Sequence, residues 1–375
     1  MPTLSWPSLF SSDALVLLAL LLIALASLKL LPLREIYDTV NSRVSPPFSV
    51  QHAVNSYSQY SRLSKQELGR MRASYTRLLS WQQKRVAYDM GYTKKLNRYA
   101  EVIDLNAQFF AKVCSLAESQ YGVSPLPGAG DLTRVRESLR HLVRDWSAEG
   151  ARERQITYAS ILSALETLSL PQGSSILLPG AGLSRLAYEL ALRGYAATAC
   201  ELSAYQNLLF HLVRSCSQAN QYSIYPYAHW FSHSLSSADL FRPVQIPDVV
   251  PTHPITLLSA DFLSLPAQPT HDALITLFFI DTSTNLLSTL THIHALLKPG
   301  GTWINLGPLL WTPGQQAAME CSLGEVLWAS ERTGFVFEEQ AGGGKTRTVE
   351  CEYTADPRAM MRWVYRAEFW VARKA

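Results

Sequence analysis

The chain has 375 residues, of which 47% are hydrophobic and 17% charged, so it can form one large domain plus a smaller piece around a sizeable core. Its net charge of +3 is too small to indicate a nucleic-acid-binding surface. The five cysteines are scattered without a CxxC pair, which argues against a zinc site or a disulfide scaffold. We therefore expect neither a metal nor a nucleic acid as a partner.

The first predicted element is an apolar segment within residues 1–34. Residues 14–31, with Lys29 snorkelling, are nearly as long as the roughly 20 residues that span a bilayer. A cleaved signal peptide is an alternative, because the Ala-Leu-Ala at 24–26 resembles a cleavage site, but residues 1–12 carry no Lys or Arg. A buried helix is a further alternative, although no polar second face marks one. We predict a membrane anchor, and the positive residues that follow it place the rest of the chain in the cytosol.

Residues 35–130 form the second predicted part, a helical N-terminal region. Apolar and charged residues alternate at helical spacing through 50–120, which indicates a helical layer with a solvated charged face. The SPLPGAGD stretch at 124–131 is a predicted loop, and no strand precedes its glycines. Residues 133–168 are helical again and lie in the third part, residues 131–375.

From residue 174 onward, short buried strands alternate with helices. The predicted strands read SSILLP, YAATACE, ITLLSADF, ALITLFFIDT and TWINLGP, and a long irregular insert, 217–255, interrupts the series. Strands that alternate with helices form a parallel sheet covered on both faces. We therefore predict an α/β fold with a doubly wound parallel sheet of about seven strands, together with the helical N-terminal layer.

The loop after the first strand carries a ligand-binding pattern. Gly180 and Gly182 let backbone N–H groups approach a ligand, but a serine replaces the third glycine of a dinucleotide loop. Glu201 ends the next strand, where a carboxylate can accept both ribose hydroxyls. Asp261 and Phe262 end the third strand and offer a carboxylate to an adenine amino group and a ring beside it. Together these residues favour S-adenosylmethionine, although the two glycines alone could simply make a tight turn.

Six stretches of the chain match one known family. They are VRDWSAEGARER, LLPGAGLSRLAYE, the IYPYAHWFSH…RPVQIPDV insert, FFIDT, LLKPGGTWINLGPLL and MMRWVYRAEFWVARK. With them, residues 139–375 resemble the carnosine N-methyltransferase family, also called the N2227-like proteins. The resemblance implies a Rossmann-like methyltransferase fold for 131–375 and S-adenosylmethionine as the cofactor. It does not extend to the apolar N-terminal segment.

The resemblance also implies cofactor contacts. A family Gln and Arg that hold the cofactor carboxylate correspond to His141 and Arg144, so the Arg is kept and the Gln is not. A family Cys before FFID corresponds to Leu277. The other implied cofactor residues are kept: Gly180, Gly182, Glu201, Asp261 and Phe262.

The substrate side departs further from the family pattern. Asp281 corresponds to the substrate aspartate, Thr312 replaces a His, Trp363 replaces one C-terminal Tyr, and Tyr365 keeps the other. A carboxylate bound to one imidazole N–H fixes the tautomer and stabilises the charge that forms as the other nitrogen attacks a methyl group. A helix N-cap in DTSTN is a second role open to Asp281.

These observations predict S-adenosylmethionine-dependent N-methylation of an imidazole nitrogen in a histidine-containing dipeptide, of the carnosine-to-anserine type. The alternatives are methylation of a protein histidine or another small amine, or a membrane-tethered cofactor-binding protein without turnover. Five aromatic residues of the insert could form a wall of the substrate pocket or a packed lid. They are Tyr222, Tyr225, Tyr227, Trp230 and Phe231.

Overall fold

The structure is a computed structural model that describes residues 46–126, 128 and 130–375. The chain divides into two compact units, Met1–Ser49 and Val50–Ala375. All the helices and strands reported below belong to the second unit.

The predicted membrane anchor, residues 14–31, lies outside the described residues. Across the part of the chain that the structure does describe, no helix is both long and apolar enough to cross a bilayer. No described helix supports the prediction of a membrane-anchored protein with its catalytic domain facing the cytosol, and that prediction is not retained.

Within the described residues, five helices precede the first strand. They are α1 (Val50–Leu78), α2 (Trp81–Asp89), α3 (Tyr92–Tyr121), α4 (Leu132–Trp146) and α5 (Ala151–Leu168). Apolar residues at helical spacing pack α1 against α3, where the Tyr57 and Phe110 rings stack 4.9 Å apart. Gly122 ends α3 in the left-handed conformation, and the Asp131 side chain caps the start of α4. The helical spacing seen in 50–120 thus does correspond to helices.

The rest of the unit alternates strands with helices. The strands are β1 (Ser175–Pro179), β2 (Ala196–Cys200), β3 (Tyr222–Ile224), β4 (Val244–Ile246), β5 (Thr256–Leu258), β6 (His271–Leu277), β7 (Leu297–Gly307), β8 (Phe335–Phe337), β9 (Arg347–Cys351) and β10 (Tyr365–Lys374). The helices are α6 (Arg185–Leu192), α7 (Ala204–Arg214), α8 (Ser237–Leu240), α9 (Leu286–Leu296) and α10 (Leu323–Thr333). Within the insert, β3 and β4 pair as a separate small sheet.

The main sheet has the strand order β5-β2-β1-β6-β7-β10-β8, with β9 also paired to β10. The predicted parallel pairing of the first two strands is confirmed, with Ser175 opposite Ala196. The strand order reverses between β1 and β6, so the chain leaves a crevice at the carboxyl edge there, where open α/β sheets bind ligands. The described strands of this sheet number eight.

The sheet is mixed rather than parallel throughout, which corrects the prediction. The last strand, β10, runs antiparallel to β7, β8 and β9. Apolar clusters cover both faces of the sheet, as a doubly wound fold requires. Leu186 and Leu190 of α6 belong to one cluster, and Leu290 of α9 and Val326 of α10 belong to the other.

Candidate active site at the carboxyl edge of the sheet

The glycine loop runs from the end of β1 to the start of α6. Gly180 (φ 62°) and Gly182 (φ 55°) adopt the left-handed conformation, which glycine enters without strain. Neighbouring side chains also leave little room for a side chain at either glycine. A Cβ on Gly180 would lie 2.5 Å from Phe279 Cδ2, and a Cβ on Gly182 would lie 3.1 Å from Arg144 Nη2. Both glycines are therefore required by the backbone and by their neighbours.

Glu201 follows β2 directly and faces this loop. Its Oε2 accepts a hydrogen bond from the Gly182 N–H at 2.8 Å, and its Oε1 accepts one from the Ser203 N–H at 2.8 Å. Burial raises the pKa of the Glu201 carboxyl, and these two amides oppose that rise. Each oxygen keeps a second lone pair, so the carboxylate can still accept two hydroxyl groups.

Arg144 reaches the same loop from α4, and His141 lies three residues earlier on that helix. The Arg144 guanidinium donates two hydrogen bonds to the Asp145 carboxylate, at 2.7 and 2.8 Å. It also lies 4.6 Å from the centroid of the Tyr353 ring. Burial lowers the pKa of His141 to about 4, and the charge of Arg144 acts in the same direction. His141 is therefore a neutral imidazole at pH 7.

Several buried polar atoms around this edge have no hydrogen-bond partner among the described residues. They are His141 Nδ1, Ser184 Oγ, Gln206 Oε1 and Asn207 Oδ1. Unpaired buried polar atoms are uncommon in folded proteins, and a bound ligand or an ordered water is one way in which their hydrogen bonding is completed. A polar ligand that bears ribose and amino-acid groups fits these atoms together with the free lone pairs of Glu201.

The predicted adenine pair, Asp261 and Phe262, lies beyond a strand end rather than on it. The third strand predicted from the sequence corresponds to β5, which stops at Leu258. The exposed Asp261 side chain caps a 3-10 turn by accepting the Leu263 N–H at 3.0 Å. Phe262 is buried, and its ring meets the Phe279 ring edge-to-face with the centroids 5.5 Å apart. Leu277 is the last residue of β6 and is partly buried.

Asp281 is a buried residue of a 3-10 turn, four positions after β6 ends. The predicted strand ALITLFFIDT stops earlier, at Leu277, because Phe278 takes a left-handed φ of 51°. Asp281 Oδ2 accepts the Leu310 N–H at 3.0 Å, and burial raises the pKa of this carboxyl. The helix-cap alternative is not observed, since the side chain of Asn285 caps α9. Asp281 is thus a buried carboxylate with one oxygen held by a backbone amide.

The other predicted substrate-binding residues lie in two different places. The Thr312 N–H donates to the Asp281 carbonyl at 3.0 Å, and its side chain is exposed. Trp363 and Tyr365 line a cavity of about 350 Å³, within the range of roughly 300–1,000 Å³ typical of small-molecule sites. Asp281 and Thr312 do not line that cavity.

Tyr353 joins these groups and was missed from the sequence. Its ring stacks on Phe278 with the centroids 4.6 Å apart, meets the His141 ring at 5.8 Å and also lines the cavity. The Phe278 ring in turn meets Tyr365 at 5.5 Å. Tyr353 lies in an irregular segment after β9, where no periodic pattern could have indicated its position.

The aromatic residues of the insert divide between the cavity and the helical layer. Tyr227 and Trp230 line the cavity. Phe231 instead packs edge-to-face on Tyr99, and Tyr222 packs on Phe109, at 5.3 and 5.7 Å. The backbone carbonyl of Tyr225 accepts a hydrogen bond from α3. The insert therefore provides one wall of the cavity and is fixed to the helical layer by its other rings.

Comparison with known proteins gives concordant results. The family model for carnosine N-methyltransferase matches residues 124–375. The carnosine N-methyltransferase of Schizosaccharomyces pombe is 31% identical over 320 residues, which cover 76% of this chain and 84% of the relative. The Rattus norvegicus carnosine N-methyltransferase is 34% identical over 260 residues, which cover 65% of this chain and 64% of the relative.

Solved structures also match, at lower similarity. A chain of the complex between the Haloferax volcanii Trm112 methyltransferase activator and a putative methyltransferase gives a TM-score of 0.40 at 14% identity, covering 63% of this chain and 97% of that one. Because this similarity is low, the fold description rests on the strand order of this chain and not on the solved structure. By the family match and the relatives, the chain belongs to the carnosine N-methyltransferase family and is an S-adenosylmethionine-dependent N-methyltransferase.

Proposed function

We propose that this protein methylates an imidazole nitrogen of a histidine-containing dipeptide, in a reaction of the carnosine-to-anserine type. The observation that carries the proposal is the environment of Asp281. A buried carboxylate with one oxygen held by the Leu310 amide keeps its other oxygen for an imidazole N–H. Membership of the family supports the same substrate class.

The cofactor would be held by residues of α4 and of the sheet edge. When bound, S-adenosylmethionine supplies a methyl group on a positively charged sulfur, which the imidazole nitrogen attacks in line. Arg144 and neutral His141 suit its carboxylate and amino group, and Glu201 suits its ribose. The other residues proposed to contact it are Gly180, Gly182, Asp261, Phe262 and Leu277.

Asp281 would act on the substrate rather than on the cofactor. Its carboxylate accepts one ring N–H, which keeps the lone pair on the other nitrogen free to attack. As the new C–N bond forms and the bond between the methyl group and the sulfur breaks, the ring would gain positive charge, and the fixed negative charge of Asp281 would stabilise it. The ring N–H that Asp281 accepts would then lose its proton to that carboxylate, which leaves a neutral methylated imidazole. Thr312, Trp363 and Tyr365 would contact the rest of the substrate. Because Thr312 and Trp363 differ from the family residues, the preferred substrate is proposed only as a carnosine-type dipeptide.

The test is transfer of label from methyl-labelled cofactor to carnosine, anserine, histidine and the proteins of a cell extract. Labelled carnosine with a single new methyl group on the imidazole supports the proposal. Label only in protein, or only in another small amine, supports a different substrate. Cofactor binding by calorimetry without transfer to any acceptor would support a binding protein without turnover and overturn the proposal.

A further inference from the structure

The cavity beside Tyr353 is lined by a cation, Arg140, that no described residue neutralises by direct contact. The Arg140 guanidinium, on α4, lies 4.2 Å from the centroid of the Trp230 ring. Among the described residues, no carboxylate lies within ion-pairing distance of it, and Asp356 and Glu137 act on it only through space. Burial lowers the pKa of Arg140, because the surrounding protein solvates its charge less well than water does.

A second polar group in the same cavity also lacks a partner. Tyr227 is 3% exposed, and its hydroxyl has no hydrogen-bond partner among the described residues. Its ring is held in place by the Arg242 guanidinium, 3.7 Å from the ring centroid. A buried hydroxyl without a partner costs free energy, which a ligand acceptor would recover.

Asp356 is the one carboxylate among the described residues that line the cavity, and it is already engaged. Asp356 Oδ1 accepts from Arg242 Nη2 at 2.6 Å and from the Arg358 backbone N–H at 3.0 Å. Arg242 also pairs with Glu149 at 3.2 Å. Asp356 is therefore committed to this network. Of the groups that line the cavity, the Arg140 guanidinium has no ion-pair partner and the Tyr227 hydroxyl has no hydrogen-bond partner among the described residues.

We propose that Arg140 and the Tyr227 hydroxyl bind the free carboxylate of the imidazole substrate, an inference that rests on the function proposed above. A guanidinium presents two parallel N–H groups that match a carboxylate, and a phenol adds a third donor. A histidine inside a polypeptide carries a neutral amide at that position and cannot engage the pair in this way. The site therefore selects small imidazole acids and discriminates against histidines within proteins.

The experiment compares carnosine with carcinine, the analogue that lacks only the carboxylate. Binding to the full-length protein is measured by calorimetry with S-adenosylhomocysteine present, and KM and kcat are measured by label transfer. We expect wild-type protein to bind carnosine roughly ten- to a hundredfold more tightly than carcinine. Arg140→Gln should raise the carnosine Kd and KM by about the same factor and leave carcinine within about twofold. Tyr227→Phe should do the same to a smaller extent.

Two controls separate charge from packing. Arg140→Lys keeps the charge and should retain part of the carnosine preference. Arg332→Gln removes an exposed arginine that lies over Trp328, 5.8 Å from its centroid and outside the cavity, and should change neither ligand. Unchanged melting temperature and cofactor affinity show that the Arg140 variants are folded.

Two results would overturn the inference alone: equal wild-type binding of carnosine and carcinine, or an equal loss of both ligands in Arg140→Gln. Failure of the proposed function looks different, because wild-type protein would then bind both ligands without transferring a methyl group to either. Absence of binding of both ligands to wild-type protein would overturn the function and the inference together.

Discussion

The ring of Phe279 covers Gly180 so closely that any side chain on the glycine would overlap it. Because Gly180 also has φ 62°, Gly180→Ala should strain the loop in two ways. We expect cofactor affinity, measured by calorimetry, to fall at least about tenfold. Gly173→Ala is the matched control, since Gly173 has φ 79° but nothing near its Cβ position.

Phe279→Leu in the Gly180→Ala background separates the two causes. The smaller side chain relieves the contact but not the backbone strain, so we expect partial recovery of cofactor affinity. Complete recovery would show that the backbone conformation costs nothing, and normal affinity in Gly180→Ala alone would contradict the close approach.

Glu201 is predicted to hold the cofactor ribose. Glu201→Ala removes the acceptor for two hydroxyl groups and should weaken cofactor binding by roughly 1–3 kcal/mol. Glu201→Gln keeps one carbonyl oxygen and should lose less. Glu201→Ala also leaves the Gly182 and Ser203 amides without their partner, so the melting temperature of that variant should fall. Unchanged cofactor affinity in Glu201→Ala would disprove the ribose assignment.

His141 makes folding stability depend on pH in a defined direction. An unfolded histidine titrates near 6.5, whereas the pKa of His141 in the folded protein is lowered to about 4. Between these values the unfolded chain binds more protons, so stability falls as the pH falls from about 6.5 towards 4. The slope from this residue is at most about 1.4 kcal/mol per pH unit.

His141→Gln removes that titration and introduces the residue of the family pattern. Melting temperatures of the two proteins, measured from pH 7 to pH 4, should therefore diverge, with the variant losing less stability in acid. Cofactor affinity at pH 7 should be retained, because a neutral imidazole is replaced by a neutral amide. Parallel melting curves over this range would mean that His141 is not held neutral by its surroundings.

Asp281→Asn is the sharpest test of the proposed chemistry. The amide keeps the shape and can still accept the Leu310 N–H, but it no longer stabilises a positively charged ring. Turnover should fall by about tenfold to a thousandfold, while cofactor affinity and melting temperature barely change. Near-normal turnover would remove Asp281 from the mechanism.

The raised pKa of Asp281 gives a second readout. Because the proposed chemistry uses the ionised carboxylate, wild-type turnover should decline with acid at a pH above the usual titration range of an aspartate. Asp281→Asn should lack that acid limb. A wild-type profile that stays flat down to the ordinary range would indicate that the carboxylate is not used in its charged form.

Local patterns were sufficient for part of this structure. The parallel pairing of β1 with β2 and the glycine loop between them follow from a short buried strand, two glycines and an amphipathic helix. The long helices of 50–120 follow from apolar spacing. Each of these features is set by residues close together in the chain, which is why the sequence was sufficient to predict them.

Other features depend on distant contacts or on single backbone angles. Phe278 looks like a strand residue, but its left-handed φ ends β6 and moves Asp281 off the strand. The antiparallel direction of β10 has no local signature, because both directions use the same strand pattern. Tyr353 and Arg140 meet the cavity from segments far apart in the chain, so neither could be placed by periodicity.

The position of Tyr353 has a thermodynamic consequence. Its ring lies against Arg144, stacks on Phe278 and forms part of the cavity wall, so the proposed cofactor half and substrate half of the site share one side chain. Any displacement of that ring alters the two halves together. Linkage then makes the effect reciprocal: whatever factor a ligand in one half imposes on affinity in the other, it experiences in return.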